Sequence, residues 1–562
     1  MDKIIIYQVF PRLFGNQNAN PVPNGTKRQN GCGKFADFTA EALREIKKSG
    51  ATHIWYTGVI EHATQTDYRR HGIRPDHPAV VKGKAGSPYA IKDYFDVDPD
   101  LAQHVPSRMA EFEALVARTH AAGLSVILDF VPNHVARQYH SDNQPAGVIP
   151  LGETDNKAMS FSPENNFYYI PQQSLQCQFD MQGSAPRPYT ETPARATGND
   201  RFDAFPGVAD WYETVKLNYG VDYLNGCSHH FHPTPNTWQK MLEILLFWAG
   251  KNIDGVRCDM AEMVPAEFWE WAIPQVKEQH PGYIFIAEVY NPQLYRDYLF
   301  RGHFDYLYDK VGLYDTLKAV VRGEQSATAI TGCWQSLGDI QPHMLNFLEN
   351  HDEQRLASDF FAGNPRKGIP ALLVSALMNT NPMMIYSGQE LGEPGMEAEG
   401  FSGRDGRTTI FDYWSIDKIR RWRNNNTFDG TLLTPDERQL HATYCRILNL
   451  CHTEAPISRG EFFDLMYANT GGWQFNEHRH YAFLRKHRQE LLLIAANFSG
   501  EDARVAINLP SHAFSHLELP EHESITAVDL LSGQEEVISL SPRQATCTTL
   551  PAYGGKVLKI SL

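Results

Sequence analysis

The chain contains VILDFVPNH (126–134), DGVRCDMAE (254–262), FIAEVY (285–290) and NFLENHDEQR (346–355), four apolar runs that each end in polar side chains. Each run has the length and composition of a buried β-strand, and each polar cluster follows where that strand would end. This spacing places Asp259, Glu288 and Asp352 at the tips of separate strands. A parallel β/α barrel assembles its active site at the carboxyl ends of its strands. The four segments therefore predict a barrel with three acids at its mouth, which indicates chemistry on a glycosidic bond.

The sequence around these segments alternates helix and strand patterns. DFTAEALREIKKSG (37–50) has the pattern of a helix with Thr39 as its N-cap and Gly50 as its C-terminal stop. MAEFEALVARTHAAG (109–123) has apolar residues at helical spacing and leads directly into the strand-like run LSVILDFV (124–131). Repeated helix–strand units with nearly continuous apolar strands indicate a parallel sheet covered by helices. We therefore predict the α/β class and a (β/α)8 TIM barrel.

Two stretches break this alternation. Residues 135–213 are rich in Pro, Gly, Gln and aromatic residues and are too long for a simple connection, which predicts an inserted subdomain after strand three. Residues 456–562 contain alternating apolar runs separated by turn residues, which predicts a C-terminal antiparallel β-sandwich. The catalytic barrel would then comprise residues 1–134 and 214–455.

The composition indicates a globular protein and excludes some kinds of partner. The chain has 562 residues, which exceeds what one core usually holds, and 42% hydrophobic and 21% charged residues are ordinary for a globular protein. The formal charge of −15 and the lack of a clustered Lys/Arg stretch argue against nucleic acid or an anionic membrane as a partner. The binding of a neutral substrate would not depend on that charge.

The cysteines and the apolar stretches of the sequence indicate a cellular compartment. The eight cysteines have no CxxC or zinc-finger spacing, so they indicate neither a metal site nor a disulfide scaffold. The first residues, MDKIIIYQVFPRLF, enter a strand-like run without the apolar core of a signal peptide. The sequence contains no stretch that approaches the roughly 20 apolar residues of a membrane helix. We expect a cytoplasmic protein without a membrane partner.

The four segments and their order resemble the α-amylase family of retaining glycoside hydrolases, and the likeness runs over essentially the whole chain. DFVPNH resembles the first family signature, GVRCD the second, AEV the third and ENHD the fourth. PYAIKDYFDVDP (88–99) and YSGQELGEPG (386–395) resemble further family segments. Each short motif alone is weak evidence, but four in the right order at strand ends are specific. The resemblance implies the same barrel, insertion and C-terminal sandwich.

The resemblance also implies a role for each acid. Asp259 would be the nucleophile that forms the glycosyl-enzyme, Glu288 the general acid and then the general base, and Asp352 the third acid, which binds sugar hydroxyls. These roles imply retention of the α-anomer. Arg257 stands two residues before Asp259 on the same side of the strand, so it can pair with that carboxylate and keep it ionised.

Further residues have expected supporting roles. By family position, His134 and His351 would bind sugar hydroxyls, and Tyr89 would stack on a sugar ring. Asp129 and Asn133 would brace the loop after strand three. Several aromatic residues of the insertion would either pack internally or line outer sugar subsites: Phe167, Tyr168, Tyr169 and Trp211.

The sequence departs from the family at its usual calcium site. Lys216 in the segment KLN stands where calcium-dependent amylases carry an aspartate, and its ammonium would replace the cation. The KLN form resembles the neopullulanase and cyclomaltodextrinase branch. We expect no required cofactor, with structural calcium possible but not favoured. A loop with Asn16, Asn18 and Asn20 is more typical of a plain polar loop than of a calcium site. Glu262 and Met263 also differ from common family residues, which leaves the leaving-group side open.

The expected function is hydrolysis of α-1,4 bonds in starch, maltooligosaccharides or cyclodextrins, with an α-glucan as the partner molecule. Alternatives within the family are a transglycosylase, a cyclomaltodextrinase or neopullulanase, and a disaccharide-specific α-glucosidase. A carbohydrate-binding scaffold is the alternative outside enzymes, and it should have lost at least one of the three acids. Endo or exo action, chain-length and α-1,6 preference and oligomeric state depend on loop shapes that the sequence does not define.

Overall fold

Eight parallel strands form a closed barrel in the computed structural model, which describes residues 3–472 and 474–562. We number the barrel strands β1–β8 in chain order: β1 Ile5–Val9, β2 His53–Tyr56, β3 Ser125–Phe130, β4 Gly255–Cys258, β5 Ile284–Ala287, β6 Tyr306–Tyr308, β7 Met344–Phe347 and β8 Met383–Tyr386. Strand β1 lies between β2 and β8, with Ile6 opposite His53 and Ile5 opposite Met383, and this pairing closes the ring. The predicted TIM barrel is confirmed.

Helices cover the barrel in the connections between strands. The helix Ala40–Lys48 begins as predicted, because the Ala42 N–H donates to Thr39 Oγ1 at 3.2 Å, and Gly50 follows its end with a φ of 102°. Between β5 and β6 the described chain has short helical turns instead of a full α-helix. None of the helices within the described residues is long and apolar enough to cross a membrane. The other main helices are Arg108–Ala121, Asn236–Ala249, Ala266–Gln279, Asp315–Arg322, Ala329–Leu337, Ile369–Leu377, Asp417–Arg423 and Pro435–Thr453.

A long connection leads from β3 to the helix at Asn236. His134 lies opposite Lys216 in its first strand pair, so the start and the end of the stretch predicted as an insertion are side by side. Leu175, Ala194 and Ala204 form a small apolar cluster of their own within it. Its strands are short antiparallel pairs: His134–Ala136 with Thr214–Lys216, Tyr169–Ile170 with Ala194–Arg195, and Val221–Asp222 with Ser228–His229. The limits 135–213 stay a prediction.

Two antiparallel sheets form the C-terminal part of the chain, as predicted. The larger has six strands, in spatial order Glu461–Asp464, His480–His487, Glu490–Asn497, Gly554–Ser561, His522–Asp529 and Glu535–Leu540. The smaller pairs Ala503–Ile507 with Thr546–Leu550. Buried polar contacts join the larger sheet to the barrel helices: Asp464 accepts from Trp334 Nε1 at 2.9 Å, and Arg485 donates to the Met378 carbonyl at 3.0 Å.

Candidate active site

The predicted acids meet at the carboxyl end of the barrel. Asp259 follows β4 directly, Glu288 follows β5 directly, and Asp352 lies in the loop after β7. Because all barrel strands point the same way, their carboxyl ends share one face. The three carboxylates line a cavity of about 380 Å³ together with Tyr89 and His134. A volume of this size is typical of a small-molecule site.

Arg257 lies beneath the cavity and connects its carboxylates. Its side chain is fully buried, and Nη1 donates to Asp259 Oδ1 at 2.8 Å and to Asp129 Oδ1 at 3.2 Å. Its Nη2 lies 2.8 Å from Glu288 Oε2, where the geometry is that of an ion pair rather than a directed hydrogen bond. The predicted pair with Asp259 is present, and the same guanidinium reaches the proposed acid as well. One cation facing three carboxylates favours retention of a proton within the cluster.

The electrostatics of Asp259 favour its neutral form more than those of an exposed aspartate. Burial raises its pKa well above the ordinary 3.8, Arg257 opposes that shift, and Glu288 and Asp352 add to it. The position of the residue is fixed from below, because its N–H donates to the Phe130 carbonyl of β3 at 2.9 Å. Asp259 therefore faces the cavity from a rigid backbone with one charged partner.

Glu288 has hydrogen-bond partners on both carboxylate oxygens. Oε2 accepts from the Met260 N–H at 2.8 Å, and Oε1 accepts from the Tyr290 hydroxyl at 2.6 Å. Met260 has a φ of 44°, in the left-handed region that non-glycine residues rarely adopt, and such strain is often found at functional sites. Sequence reasoning missed Tyr290, although its position two residues after Glu288 places it on the same side of an extended segment.

Asp352 and Tyr89 are both tied to His351. His351 Nε2 lies 3.0 Å from Asp352 Oδ2, and its ring stacks on Tyr89 with centroids 5.2 Å apart. Gln8 Nε2 lies 2.8 Å from the other ring nitrogen, Nδ1, so the amide as placed donates there and leaves the ring hydrogen on Nε2. Burial opposes ionisation of Asp352, but His351 and Arg257 lower its pKa below the ordinary value. Both nitrogens of His351 thus have protein partners, and its proposed contact with sugar stays a prediction.

His134 stands at the cavity wall as a neutral side chain. Burial and the charge of Lys216 lower its pKa to about 3. Asn133 Nδ2 donates to His134 Nδ1 at 3.1 Å, which leaves the ring hydrogen on Nε2, and the ring also forms a hydrogen bond with the backbone of Tyr89. The ring packs against Trp211, with centroids 5.4 Å apart, and Trp211 also lines the cavity. Of the aromatic residues considered in the insertion, this one faces the cavity, whereas three others are buried: Phe167, Tyr168 and Tyr169.

Lys216 joins the barrel to the inserted stretch. Its Nζ donates to Asn133 Oδ1 at 2.7 Å and lies 2.6 Å from Asp200 Oδ1, and its side chain is 1% exposed. The ammonium also lies 5.3 Å from the centre of the Tyr223 ring. Burial lowers the pKa of Lys216, while Asp200 opposes that shift. Asn133 Oδ1 and Asp200 Oδ1 are therefore both bound by the ammonium group.

Two other groups of oxygen donors have the composition of metal ligands. In the first loop, Asn16 Oδ1 accepts from the Asn18 N–H at 3.1 Å, which is the local pattern of a polar turn. Glu61, Asp93 and Asp96 form a buried cluster whose carboxylate oxygens lie within 4.8 Å of one another. Lys92 Nζ lies 3.8 Å from Glu61, so the protein supplies a cation of its own beside this cluster.

Several cavity residues lie far apart in sequence and could not be assigned from local patterns. Lys82 forms an ion pair with Glu213 at 3.1 Å, and both line the same cavity as Asp259, together with Phe401, Ile410 and Phe411. Glu262 and Met263 line a second cavity of about 450 Å³ beside the first, together with Tyr223, His229 and Asn291. These residues come from separate loops, and only the closure of the barrel brings them together.

The sequence and the fold of this chain are similar to those of known proteins. The family model described as the α-amylase catalytic domain matches residues 8–429. The chain is 20% identical over 546 residues to neopullulanase 2 of Thermoactinomyces vulgaris, covering 94% of this chain and 74% of that protein. It is 24% identical over 398 residues to the intracellular maltogenic amylase of Bacillus subtilis (strain 168), covering 69% of this chain and 55% of that protein. The crystal structure of the Geobacillus thermoleovorans α-amylase complexed with acarbose has a TM-score of 0.64 at 19% identity, covers 100% and 98% of the two chains, and shows the same fold.

Proposed function

Because this chain belongs to the α-amylase family of glycoside hydrolases, we propose that it cleaves α-1,4-glucosidic bonds of starch fragments, maltooligosaccharides or cyclodextrins with retention of the anomer. The observation that carries this proposal is the pair formed by Asp259 and Glu288 on the two Nη atoms of Arg257 at one cavity wall. A glycosidic bond placed there would have a carboxylate at its anomeric carbon and a carboxylic acid at its leaving oxygen.

The chemistry follows from these positions in two balanced steps. In the first, the bond between the anomeric carbon and the leaving oxygen breaks, Asp259 bonds to that carbon, and the proton of Glu288 passes to the leaving oxygen. In the second, Glu288 takes a proton from water as the water oxygen displaces Asp259 from the anomeric carbon. Asp352, kept ionised by His351, would accept hydrogen bonds from hydroxyls of the distorted ring.

Product analysis tests this proposal. The purified protein is incubated separately with starch, maltoheptaose, β-cyclodextrin, pullulan and sucrose, beside Glu288→Gln as the matched control. We expect short maltooligosaccharides from linear or cyclic α-glucans with the wild type and none with the variant. No release from any of the five substrates would reject the proposal.

A branch of the family that acts on cyclodextrins or pullulan is the second candidate. The KLN segment around Lys216 and the likeness to neopullulanase 2 favour it. Faster release from β-cyclodextrin or pullulan than from starch would select this branch. Glucosyl transfer products that increase with substrate concentration would instead select a transglycosylase, because a sugar hydroxyl then replaces water in the second step.

The acid limb of the pH–rate profile should lie at a higher pH than an exposed aspartate would give. Burial and the neighbouring acids raise the pKa of Asp259 above 3.8. As the pH is lowered, Asp259 therefore takes up a proton before the pH reaches 3.8. The protonated carboxyl is no longer a nucleophile, so the rate falls. Asp352 is not the source of the limb, because its pKa is lowered. The measurement is kcat/KM against pH, with circular dichroism at each pH to exclude unfolding. A limb at or below the ordinary aspartate value would contradict the prediction.

We propose that Lys216 takes the place of structural calcium, and we expect EDTA to leave activity and Tm nearly unchanged. Lys216→Met should lower the free energy of unfolding by about 1–3 kcal/mol, because Asn133 Oδ1 loses its donor and Asp200 its partner. Lys251→Met is the matched control, because its pair with Glu113 is at the surface and such pairs contribute about 0–1 kcal/mol. A large loss of activity or Tm on chelation would refute this proposal and point to a metal elsewhere.

We also propose a cytoplasmic location. The eight cysteines are unpaired, which suits a reducing compartment, and the similar Bacillus subtilis protein is described as intracellular. Fractionation of the cells that make this protein, with a cytosolic and a secreted marker, tests the proposal. Recovery with the secreted marker would reject it.

A further inference from the structure

Tyr290 makes a contact to which the roles proposed above assign no function. Its phenol oxygen lies 2.6 Å from Glu288 Oε1, and both side chains line the catalytic cavity. Its backbone N–H donates to Glu262 Oε2 at 3.0 Å, which holds this segment after β5 in place. The phenol is thereby fixed against one oxygen of the proposed general acid.

The two oxygens of Glu288 differ in their ability to carry the acid's proton. Oε2 accepts from the Met260 N–H at 2.8 Å and lies 2.8 Å from Arg257 Nη2. A hydrogen on Oε2 would face two donors, since neither a backbone N–H nor a guanidinium can accept a hydrogen bond. The proton of the acid form therefore belongs on Oε1, which is the oxygen that Tyr290 contacts.

We propose that Tyr290 is a positioning residue that holds the proton-carrying oxygen of Glu288 at the glycosidic bond, an inference that rests on the proposed glycosidase function. When Glu288 is protonated, its O–H on Oε1 donates to the phenol oxygen, and when Glu288 is ionised, the phenol O–H donates to Oε1. During cleavage the proton passes from Oε1 to the leaving oxygen, and in the second step a water proton returns to Oε1. Tyr290 therefore neither gains nor loses a proton over the cycle.

Among the described residues, the other charged groups around Glu288 and Tyr290 do not contact Glu288 Oε1 or the phenol hydroxyl. Arg257 and the Met260 N–H contact Oε2, Glu262 contacts the backbone of Tyr290, and Asp259 and Asp352 act on the cluster through space. Removing the phenol hydroxyl should therefore change Oε1 alone. Its loss takes away the donor to the ionised form and the acceptor for the acid form at that oxygen.

The test compares Tyr290→Phe with the wild type on two substrates of different leaving-group ability. Maltotriose needs a general acid to protonate its leaving sugar, whereas α-maltosyl fluoride releases an ion that needs little such help. We expect kcat/KM on maltotriose, which reports the first step, to fall by about tenfold or more, a part of the roughly 10²–10⁴ that general acid catalysis contributes. We expect kcat/KM on the fluoride to stay nearly unchanged, because its first step needs little help from the acid.

Tyr295→Phe is the matched control, because the Tyr295 hydroxyl has no hydrogen-bond partner among the described residues. An equal fall on both substrates, or no change on either, would overturn the role of Tyr290. A measurement without substrate distinguishes failure of this inference from failure of the proposed function. The protein is labelled with ¹³C at the glutamate carboxyl and observed by NMR. The Glu288 resonance is identified as the one that is missing from the spectrum of Glu288→Gln. The chemical shift of that resonance at one fixed pH should change in Tyr290→Phe and not in Tyr295→Phe, and an unchanged shift in Tyr290→Phe rejects the inference even if the wild type cleaves neither substrate.

Discussion

Glu288→Gln should lower kcat/KM on maltooligosaccharides by roughly 10²–10⁴, the contribution that a positioned general acid and base makes. Asp259→Asn should cost at least as much, because an amide at that position cannot form the glycosyl-enzyme. Both changes keep the shape of the side chain, and each removes one carboxylate from a buried cluster that has a single guanidinium. Folding should therefore survive, as circular dichroism and Tm would show.

The matched control is Glu353→Gln. Glu353 also lines the cavity, but it accepts from the Tyr314 hydroxyl at 3.1 Å and lies 3.5 Å from Lys310 rather than from Arg257. This variant should retain most of the activity. Near-normal rates in Asp259→Asn or Glu288→Gln would contradict the proposed roles of nucleophile and general acid. A loss of activity in Glu353→Gln as large as in those variants would indicate general damage to the cavity.

Arg257→Met should combine the largest loss of stability with a loss of activity. The guanidinium is fully buried and contacts Asp129, Asp259 and Glu288, so its removal leaves three carboxylates without their cation. Breaking a buried ion pair by removing one partner costs about 3–5 kcal/mol. The acids would take up protons instead, and a protonated Asp259 is no nucleophile. A lower midpoint of urea unfolding and a much reduced kcat/KM are the expected measurements.

Two variants make this prediction specific. Arg366→Met removes a pair with Asp436 at the surface, where the partners are 49% and 88% exposed, and should change stability by less than about 1 kcal/mol. Asp129→Asn added to Arg257→Met removes one of the unpaired carboxylates and should recover part of the lost stability without restoring activity. An Arg257→Met protein as stable and active as the wild type would show that the carboxylates do not need this cation.

Much of the site could be predicted because its signals are local. Thr39 and Gly50 mark the ends of a helix by their own chemistry, and the structure places that helix at Ala40–Lys48. The position of Asp259 and Glu288 at the cavity is predictable because each follows an apolar run of strand length, and parallel strands share one carboxyl edge. The pairing of Arg257 with Asp259 is predictable because residues two apart in a strand share a face.

Other features have no local signal. The contact of Arg257 with Glu288 joins β4 to the loop after β5, and the contact of Gln8 with His351 joins β1 to the loop after β7. Lys82 and Glu213 meet at the cavity wall from two different connections. Each of these distances depends on strand stagger and loop path, which periodicity in a single segment does not report.

Local patterns along the chain predict the class of this protein: the order of its strands, the inserted and C-terminal parts, and the acids that follow β4, β5 and β7. The reason is that apolar periodicity and strand-end polarity are properties of neighbouring residues along the chain. Three further relations are visible in the folded protein alone: which carboxylates share the Arg257 guanidinium, which oxygen of Glu288 is free to carry a proton, and that Tyr290 contacts that oxygen. Those relations depend on the closure of the barrel, since β1 must pair with β8 before loops distant in sequence face one cavity.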